Sequence, residues 1–376
     1  MKITCLRDKL AAAFQMAASV APARSPKQIL QNVKLEVTEG KGTLMATDME
    51  LGIRIEVPGI EVHSLGSAVL PVARFGSILR ESSDASLQLE TDGHSTVVRG
   101  ERSEFKLQSQ DPQEFPYVAT FDQEKYHKMP ARLMREMIRR TIFATDTESS
   151  RYALGGVLWE LTEKEAIAVG TDGRRLAKME GPATAVSEHN PGEANTIVPT
   201  KAMQLIEKGL AAMLAVDADA DTLIATTDRA MVIKCQKVII TSSLAEGRFP
   251  SWREVFPKRN NAQRINLNVA TAVAAVRQAA IITSEESKAV DFTFDSGLLV
   301  LTASVAEAGQ SRIELPIAYE GPAITMSLDP RYVIDFLKVL DGDKTFVMEI
   351  ENADDAVVCS TDDGYSYIIM PLSRDP

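Results

Sequence analysis

The residues best placed to do chemistry form one polar run, Gly170-Thr171-Asp172-Gly173-Arg174-Arg175-Leu176, with a shorter echo in Ala46-Thr47-Asp48-Met49-Glu50-Leu51. Two aspartates, one of them beside Arg175, could act on a small substrate as an acid/base pair. An aspartate that follows a short strand and precedes glycine also does something simpler: its carboxylate accepts from the backbone two residues on and closes a tight turn. Neither aspartate has a histidine or metal partner, which makes them a poor pair for proton transfer, and the last third of the chain carries Leu301-Thr302-Ala303-Ser304 in the corresponding place. The sequence contains no G-x-x-x-x-G-K-S/T, G-x-S-x-G, H-E-x-x-H or G-x-G-x-x-G. Nucleotide hydrolysis and the commoner triad and zinc chemistries are therefore not signalled. His63, His94, His127 and His189 stand singly, and Cys5, Cys235 and Cys359 are odd in number and far apart. That spacing suits neither a zinc site nor a disulfide framework and predicts buried, inert thiols. No catalytic residue, metal or cofactor is expected.

The elements that would hold these runs recur three times. A helical pattern of Leu6, Leu10, Phe14 and Ala17 returns as Met134, Met137, Ile138 and Ile142, and again as Val269, Val273 and Val276 behind Asn268; each places apolar residues on one helix face, and Asn268 is a ready N-cap. β-branched or alternating runs follow each helix: Val33 to Val37, Val157 to Leu161, and Val290 to Phe294. A second helix then recurs from Pro71, Val198 and Leu328, the last with Asp329 to cap it and Pro330 where a missing N–H costs nothing. Further strands follow at Ser86 to Glu90, Thr222 to Thr226 and Phe346 to Ile350, and the first two thirds close alike on Phe115-Pro116-Tyr117 and Phe249-Pro250-Ser251-Trp252. The fold class is therefore α+β, in three tandem similar domains: residues 1–124, 125–260 and 261–376.

With 376 residues, 45% hydrophobic and 25% charged, the chain can fill several cores. No apolar stretch reaches the ~18 residues a membrane helix needs, and Arg7, Asp8 and Lys9 interrupt what would be the core of a signal peptide. The expectation is a cytoplasmic protein with no membrane partner. A formal charge of −11 by itself counts against a nucleic-acid binder. The distribution reverses that inference, because the six helices, taken as residues 6–18, 72–81, 131–143, 200–210, 268–282 and 329–340, sum to +7 and the remainder to −18. Arg132, Arg135 and Arg139 form a stripe at steps of three and four, opposite the methionine and isoleucine face. A charged helix face is commonly just solvated, but its repetition across domains suits an acidic body that presents basic helices to one polyanion.

VGTDGRRLA at 169–177, EGRFPSWREVFP at 246–257, RYALGGVLWE at 151–160 and the ending YIIMPL at 367–372 are together hard to obtain by chance. Over its whole length the chain resembles the bacterial DNA polymerase III β sliding clamps, the processivity subunits of the replicative polymerase. The resemblance implies the DNA clamp fold, with helices lining a ring and sheets outside. It also implies a non-catalytic homodimer that encircles double-stranded DNA without regard to sequence. Its partners would be the replicative polymerase III catalytic subunit, the clamp loader complex, and repair polymerases and other proteins bearing a clamp-binding motif.

Carried over by position, the DNA contacts would be Arg24, Arg74, Tyr152 and Lys201. The cleft for partner peptides would comprise Leu154, Thr171, Gly173, Arg174, Arg175 and Leu176, then Pro250, Val255 and Tyr332, and finally Ile368, Ile369, Met370, Pro371 and Leu372. Such apolar anchors suit a short motif, although Ile368 and Ile369 read equally as an ordinary last strand with a side facing a core. At the ring joint the resemblance sets Phe105 and Leu107 against Ile281 and Ile282 of a second copy, and each of the four could instead belong to its own core. The chain departs from the family pattern at Ala153, Glu254 and the tail Ser373 to Pro376. The alternative function is a peptide-binding adaptor that does not encircle DNA.

Overall fold

The computed structural model describes residues 1–146, 148, 152–192, 196–259, 261–284, 288–306 and 308–372, without the Tyr152 side chain. The six anticipated helices are present, as α1 Arg7–Ala18, α2 Val72–Glu81, α3 Ala131–Thr141, α4 Thr200–Leu214, α6 Val269–Ala279 and α7 Pro330–Lys338, and the structure adds a short one that was not anticipated, α5 Trp252–Val255. Their ends follow local chemistry. Asn268 Oδ1 accepts from the Thr271 amide at α6, and Asp329 Oδ1 accepts from Arg331 N at α7, where Pro330 takes the first turn. Four ends differ from the sequence expectation: α3 and α6 tighten into 3-10 turns at Ile142–Ala144 and Ala280–Ile282, α4 runs on to Leu214, and α7 stops at Lys338. In α4 the extension is Ala211-Ala212-Met213-Leu214, all strong helix formers with no breaker among them.

The chain packs as two units, residues 1–135 with 183–244, and 136–182 with 245–376. The first contains a five-stranded and a nine-stranded antiparallel sheet. In the nine-stranded sheet, strand Leu51–Glu56 pairs with Val238–Ser243, Ile53 lying opposite Ile240. That pair fuses strands from the first and second thirds of the sequence into one sheet. In the second unit, Arg175–Pro182 pairs with Tyr365–Ile369, Ala177 lying opposite Tyr367, and so joins strands of the second and third thirds in the same way. A separate four-stranded sheet ends on Gly309–Pro316.

The cores are the apolar faces that the periodicity predicts. Phe14 of α1 meets Phe75 of α2 edge-on at 4.8 Å, and both are buried. In the second unit Phe336 of α7 stacks with Tyr365 and Tyr367 at 5.5 and 5.2 Å. Each buried ring of this kind contributes roughly 1.5–3 kcal/mol. Met134, Met137 and Ile138 are fully buried, as the α3 pattern requires. All three cysteines are buried too, and burial pushes the Cys5 thiol up to about 12, so it is no nucleophile.

One sequence inference needs correcting: the histidines do not all stand alone. Antiparallel pairing of Tyr126–Pro130 with Thr184–Val186 brings His127 and His189 together, Nδ1 to Nδ1 at 2.6 Å. Their 62-residue separation hides this from spacing rules. Among the described residues no three His, Cys, Asp or Glu side chains gather as a metal site, and no helix is long and apolar enough to cross a membrane.

Candidate functional site

The T-D runs are hairpin turns, built alike. Asp172 Oδ1 accepts from the amides of Arg174 and Arg175 at 2.9 and 3.0 Å, while Thr171 Oγ1 accepts from Gly173 N and donates to Arg175 O. Asp48 Oδ1 takes the amides of Glu50 and Leu51 at 3.0 and 2.7 Å, with Thr47 in the role of Thr171. The same turn appears a third time at Thr91-Asp92-Gly93. The residue after each aspartate has positive φ: 88° at Gly173, 95° at Gly93, and 85° at Met49, where a side chain makes that conformation costly. At Gly170 the need is space, since a Cβ there would lie 2.3 Å from Thr141 O. Among the described residues the aspartates of these three turns bond backbone amides, a serine hydroxyl and cations, which suits a turn better than proton transfer.

Around Asp172 the turn becomes a cation site. The Arg175 guanidinium donates to Asp172 Oδ2 at 2.9 Å, to Asp335 Oδ2 of α7 at 2.7 Å and to the Phe143 carbonyl at 2.7 Å. It also lies over the rings of Tyr332 and Phe143, at 4.5 and 5.5 Å. Burial would disfavour its charge, but Tyr367, Asp335 and Asp172 outweigh that cost and raise its pKa further. The strand pair then sets Arg175 opposite Ile369 and Leu176 opposite Ile368, and Met370 N bonds Arg174 O at 2.9 Å. Leu372 N bonds Ser327 O at 2.8 Å. An open depression of about 690 Å³ lies against Arg174, Arg175, Arg331 and Tyr332, with Asp146, Asp172 and Asp335 among its other walls.

Of the cleft residues implied by the resemblance, the structure brings Arg174, Arg175, Leu176, Tyr332, Ile368, Ile369 and Met370 together through these bonds. Their exposures differ. Leu154, Thr171, Leu176, Ile368 and Ile369 are buried, so the last two present no surface of their own. Surface comes from Met370 and Val255, at 43% and 41% exposed, from Pro250, Gly173 and Arg174, and from the half-buried Arg175, Tyr332, Pro371 and Leu372.

Val255 is held by a pairing that sequence spacing does not predict. Trp252 Nε1 donates to Glu160 Oε1 at 3.0 Å, and Arg253 grips both oxygens of that carboxylate while stacking on the Trp252 ring at 4.2 Å. This pins α5, which carries Val255, to strand Gly156–Leu161. Burial alone would raise the Glu160 carboxyl, but Arg253 and Trp252 outweigh it and hold it below its ordinary 4.5. A carboxyl whose pKa is lower when folded adds stability above its unfolded value and loses it as the pH falls through the folded one. Glu160→Gln should therefore lower the melting temperature at neutral pH and bring a shallower fall on acidification below about pH 4.5. Parallel Tm profiles for the two proteins would refute that role.

Arg24 and Arg74 are exposed in the first unit, and Lys201 of α4 is 63% exposed with its ammonium on the Asp48 carboxylate. The Tyr152 side chain lies outside the described residues. The stripe on α3 is partly spent internally: Arg135 pairs with Glu207 and Arg139 with Glu136, leaving Arg132 outermost. Arg140, which the stripe omits, is buried, bonds Glu136 and Asp363 at 2.7 Å and lies 5.1 Å from the Tyr365 ring centre. Among the joint residues, Ile281 is 76% and Phe105 41% exposed, Ile282 is half-buried, and Leu107 is buried in its own unit. The Ser373 to Pro376 tail lies outside the described residues.

Comparison with known proteins places these features in a family. Family profiles for the N-terminal, central and C-terminal domains of the DNA polymerase III beta subunit match residues 1–119, 128–251 and 253–373 in that order. The beta sliding clamp of Chlamydia pneumoniae is 27% identical over 373 residues, covering 99% of both chains. That of Escherichia coli K12 is 27% identical over 380 residues, covering 99% of this chain and all of its own. The crystal structure of the Bacillus subtilis DNA polymerase sliding clamp superposes with a TM-score of 0.90 at 22% identity, over the full length of both chains.

Proposed function

Since this chain belongs to the family of bacterial DNA polymerase III β subunits, the sliding clamps, we propose that two copies close head to tail into a ring around duplex DNA. Its role is that of a sliding clamp, a non-catalytic accessory subunit that gives the replicative polymerase processivity, and its fold is the three-domain clamp fold. The domains run 1–124, 125–260 and 261–376. No bond is made or broken in the mechanism. A closed ring tethers the polymerase and raises its effective concentration at the primer end, and phosphate contacts that ignore base sequence permit sliding. Arg24, Arg74, Tyr152 and Lys201 supply those contacts, and the acidic remainder of the chain resists non-specific adhesion. The ring works in the cytoplasm.

The observation that carries ring closure is a joint made twice within one chain. Leu51–Glu56 pairs with Val238–Ser243, and Arg175–Pro182 pairs with Tyr365–Ile369. Counting register from the shared turns and caps, the third equivalents are Gly309–Pro316 and Glu104–Gln108, and each stands at the edge of its sheet. Ile53 opposite Ile240 and Ala177 opposite Tyr367 correspond to Ser311 opposite Phe105. Pairing these edges between copies leaves neither open, which natural sheets avoid.

The surface formed by Arg174, Tyr332, Met370, Pro250 and Val255 receives short motifs of the polymerase, the clamp loader and repair proteins. Met370 suits several occupants because an unbranched thioether repacks easily. The test is topological. Protein loaded on nicked circular DNA should stay bound at high salt and be lost when the circle is cut. Retention that is indifferent to cutting would overturn encirclement and leave an adaptor that gathers peptide-bearing partners.

A further inference from the structure

The T-D turn that the sequence singled out, and that catalysis does not use, holds a cation in two places. At Asp172 one oxygen caps the turn and the other takes Arg175 Nε at 2.9 Å. At Asp48 one oxygen caps the turn through Glu50 and Leu51, and the other takes the ammonium of Lys201, which reaches it from α4 across 153 residues of sequence. The two partners differ in burial. Arg175 is 11% exposed and its bonds are structural, whereas Lys201 is 63% exposed against an Asp48 that is 15% exposed. The lysine is therefore tethered at its tip and open to solvent along its stem. Burial would raise the Asp48 carboxyl, but Lys201 and the turn amides outweigh it and lower it, so the tether carries a full negative charge at neutral pH.

We propose that Asp48 is a positioning residue that competes with DNA phosphate for Lys201, weakening this contact so that the ring glides rather than grips. This rests on Lys201 facing DNA, as in the function above. An ammonium has three donors on a flexible stem, so it can leave a carboxylate for a passing phosphate and return. Each exchange gives up one ion pair for another of similar kind, and the net gain from the phosphate is smaller than a solvated lysine would obtain. The turn itself stays closed during the exchange, because the other carboxylate oxygen still accepts from Glu50 and Leu51.

The test is a double-mutant cycle on the full-length protein, read by anisotropy of a short labelled duplex across a salt series. Asp48→Asn keeps the oxygen that accepts from Glu50 and Leu51 and removes only the charge. It should tighten binding about two- to five-fold at low salt and steepen the dependence of log K on log salt by up to ~0.9, the contribution of one phosphate contact. Lys201→Ala should weaken binding, and adding Asp48→Asn to it should change little further. If Asp48→Asn tightens binding equally with and without Lys201, Asp48 acts only as a general repulsive charge and the positioning role is overturned. If it changes nothing while Lys201→Ala weakens binding, the competition is likewise overturned and the DNA contact survives. If Lys201→Ala leaves binding unaltered, Lys201 is not a DNA contact and the proposal falls with that reading.

Discussion

Replacing Arg175 with alanine is expected to destabilise the second unit by about 2–4 kcal/mol and to weaken binding of motif peptides at least ten-fold. The stability figure follows from what the guanidinium leaves behind. Asp172 and Asp335, at 16% and 31% exposed, would keep their charges without their partner. Breaking a buried pair on one side costs about 3–5 kcal/mol, and the partial exposure of Asp335 returns some of that through solvent. The Phe143 carbonyl loses its donor, and Tyr332 loses the cation over its ring. The binding loss follows from the backbone: Arg174 and Met370 are bonded to each other, one residue beyond the Arg175 to Ile369 pairing. Slackening the strand end displaces both exposed side chains. Arg175→Lys should rescue little, because one ammonium cannot address two carboxylates and a carbonyl in a plane. Urea unfolding with peptide titration on the same samples checks this. An unchanged midpoint with lost affinity would make Arg175 a direct peptide contact instead of a support.

The turns at Asp48 and Asp172 show how far sequence reading reached. The turn was legible, since Thr-Asp-Gly fixes its own hydrogen bonds within four residues. Helices were legible from periodicity and from caps such as Asn268 and Asp329, whose partners lie two or three residues away. What Asp48 holds, and what else Arg175 holds, was not legible. Lys201 is 153 residues from Asp48, and Asp335 is 160 from Arg175. Glu160 under Trp252 and Arg253, and Arg140 on Asp363, are likewise pairings over 92 or more residues that only the folded sheets create. The cleft itself came from family resemblance, not from spacing. Burial then sorted its members, because alternation along a strand says one face is inside and gives no warning that Ile368 and Ile369 are both covered.

Charged substitutions at the two exposed joint residues, Phe105→Arg and Ile281→Asp, are each expected to convert a dimer of twice 41.0 kDa into a 41.0 kDa chain that still folds. Both side chains are costly to leave in water and cheap to change in a monomer: Ile281 is 76% and Phe105 41% exposed, and surface replacements typically move stability by less than about 0.5 kcal/mol. In the joint the balance reverses. Covering each apolar side chain contributes roughly 1.5–3 kcal/mol, and an unpaired charge in its place adds a desolvation cost of several kcal/mol. The joint occurs twice in a two-chain ring, so one substitution acts at both closures. Leu107→Ala separates the alternatives. Leu107 is buried within its own unit, so truncating it should lower the monomer's stability by about 2–5 kcal/mol whether or not a joint exists. Light scattering over a dilution series, with a thermal melt of each variant, reads mass and stability together. Monomers with unchanged melts would place Phe105 and Ile281 at the closure, and their failure to stay on nicked circles would tie processive retention to the closed ring. Dimers that persist through both charges would mean that the edges Glu104–Gln108 and Gly309–Pro316 are not where the copies meet.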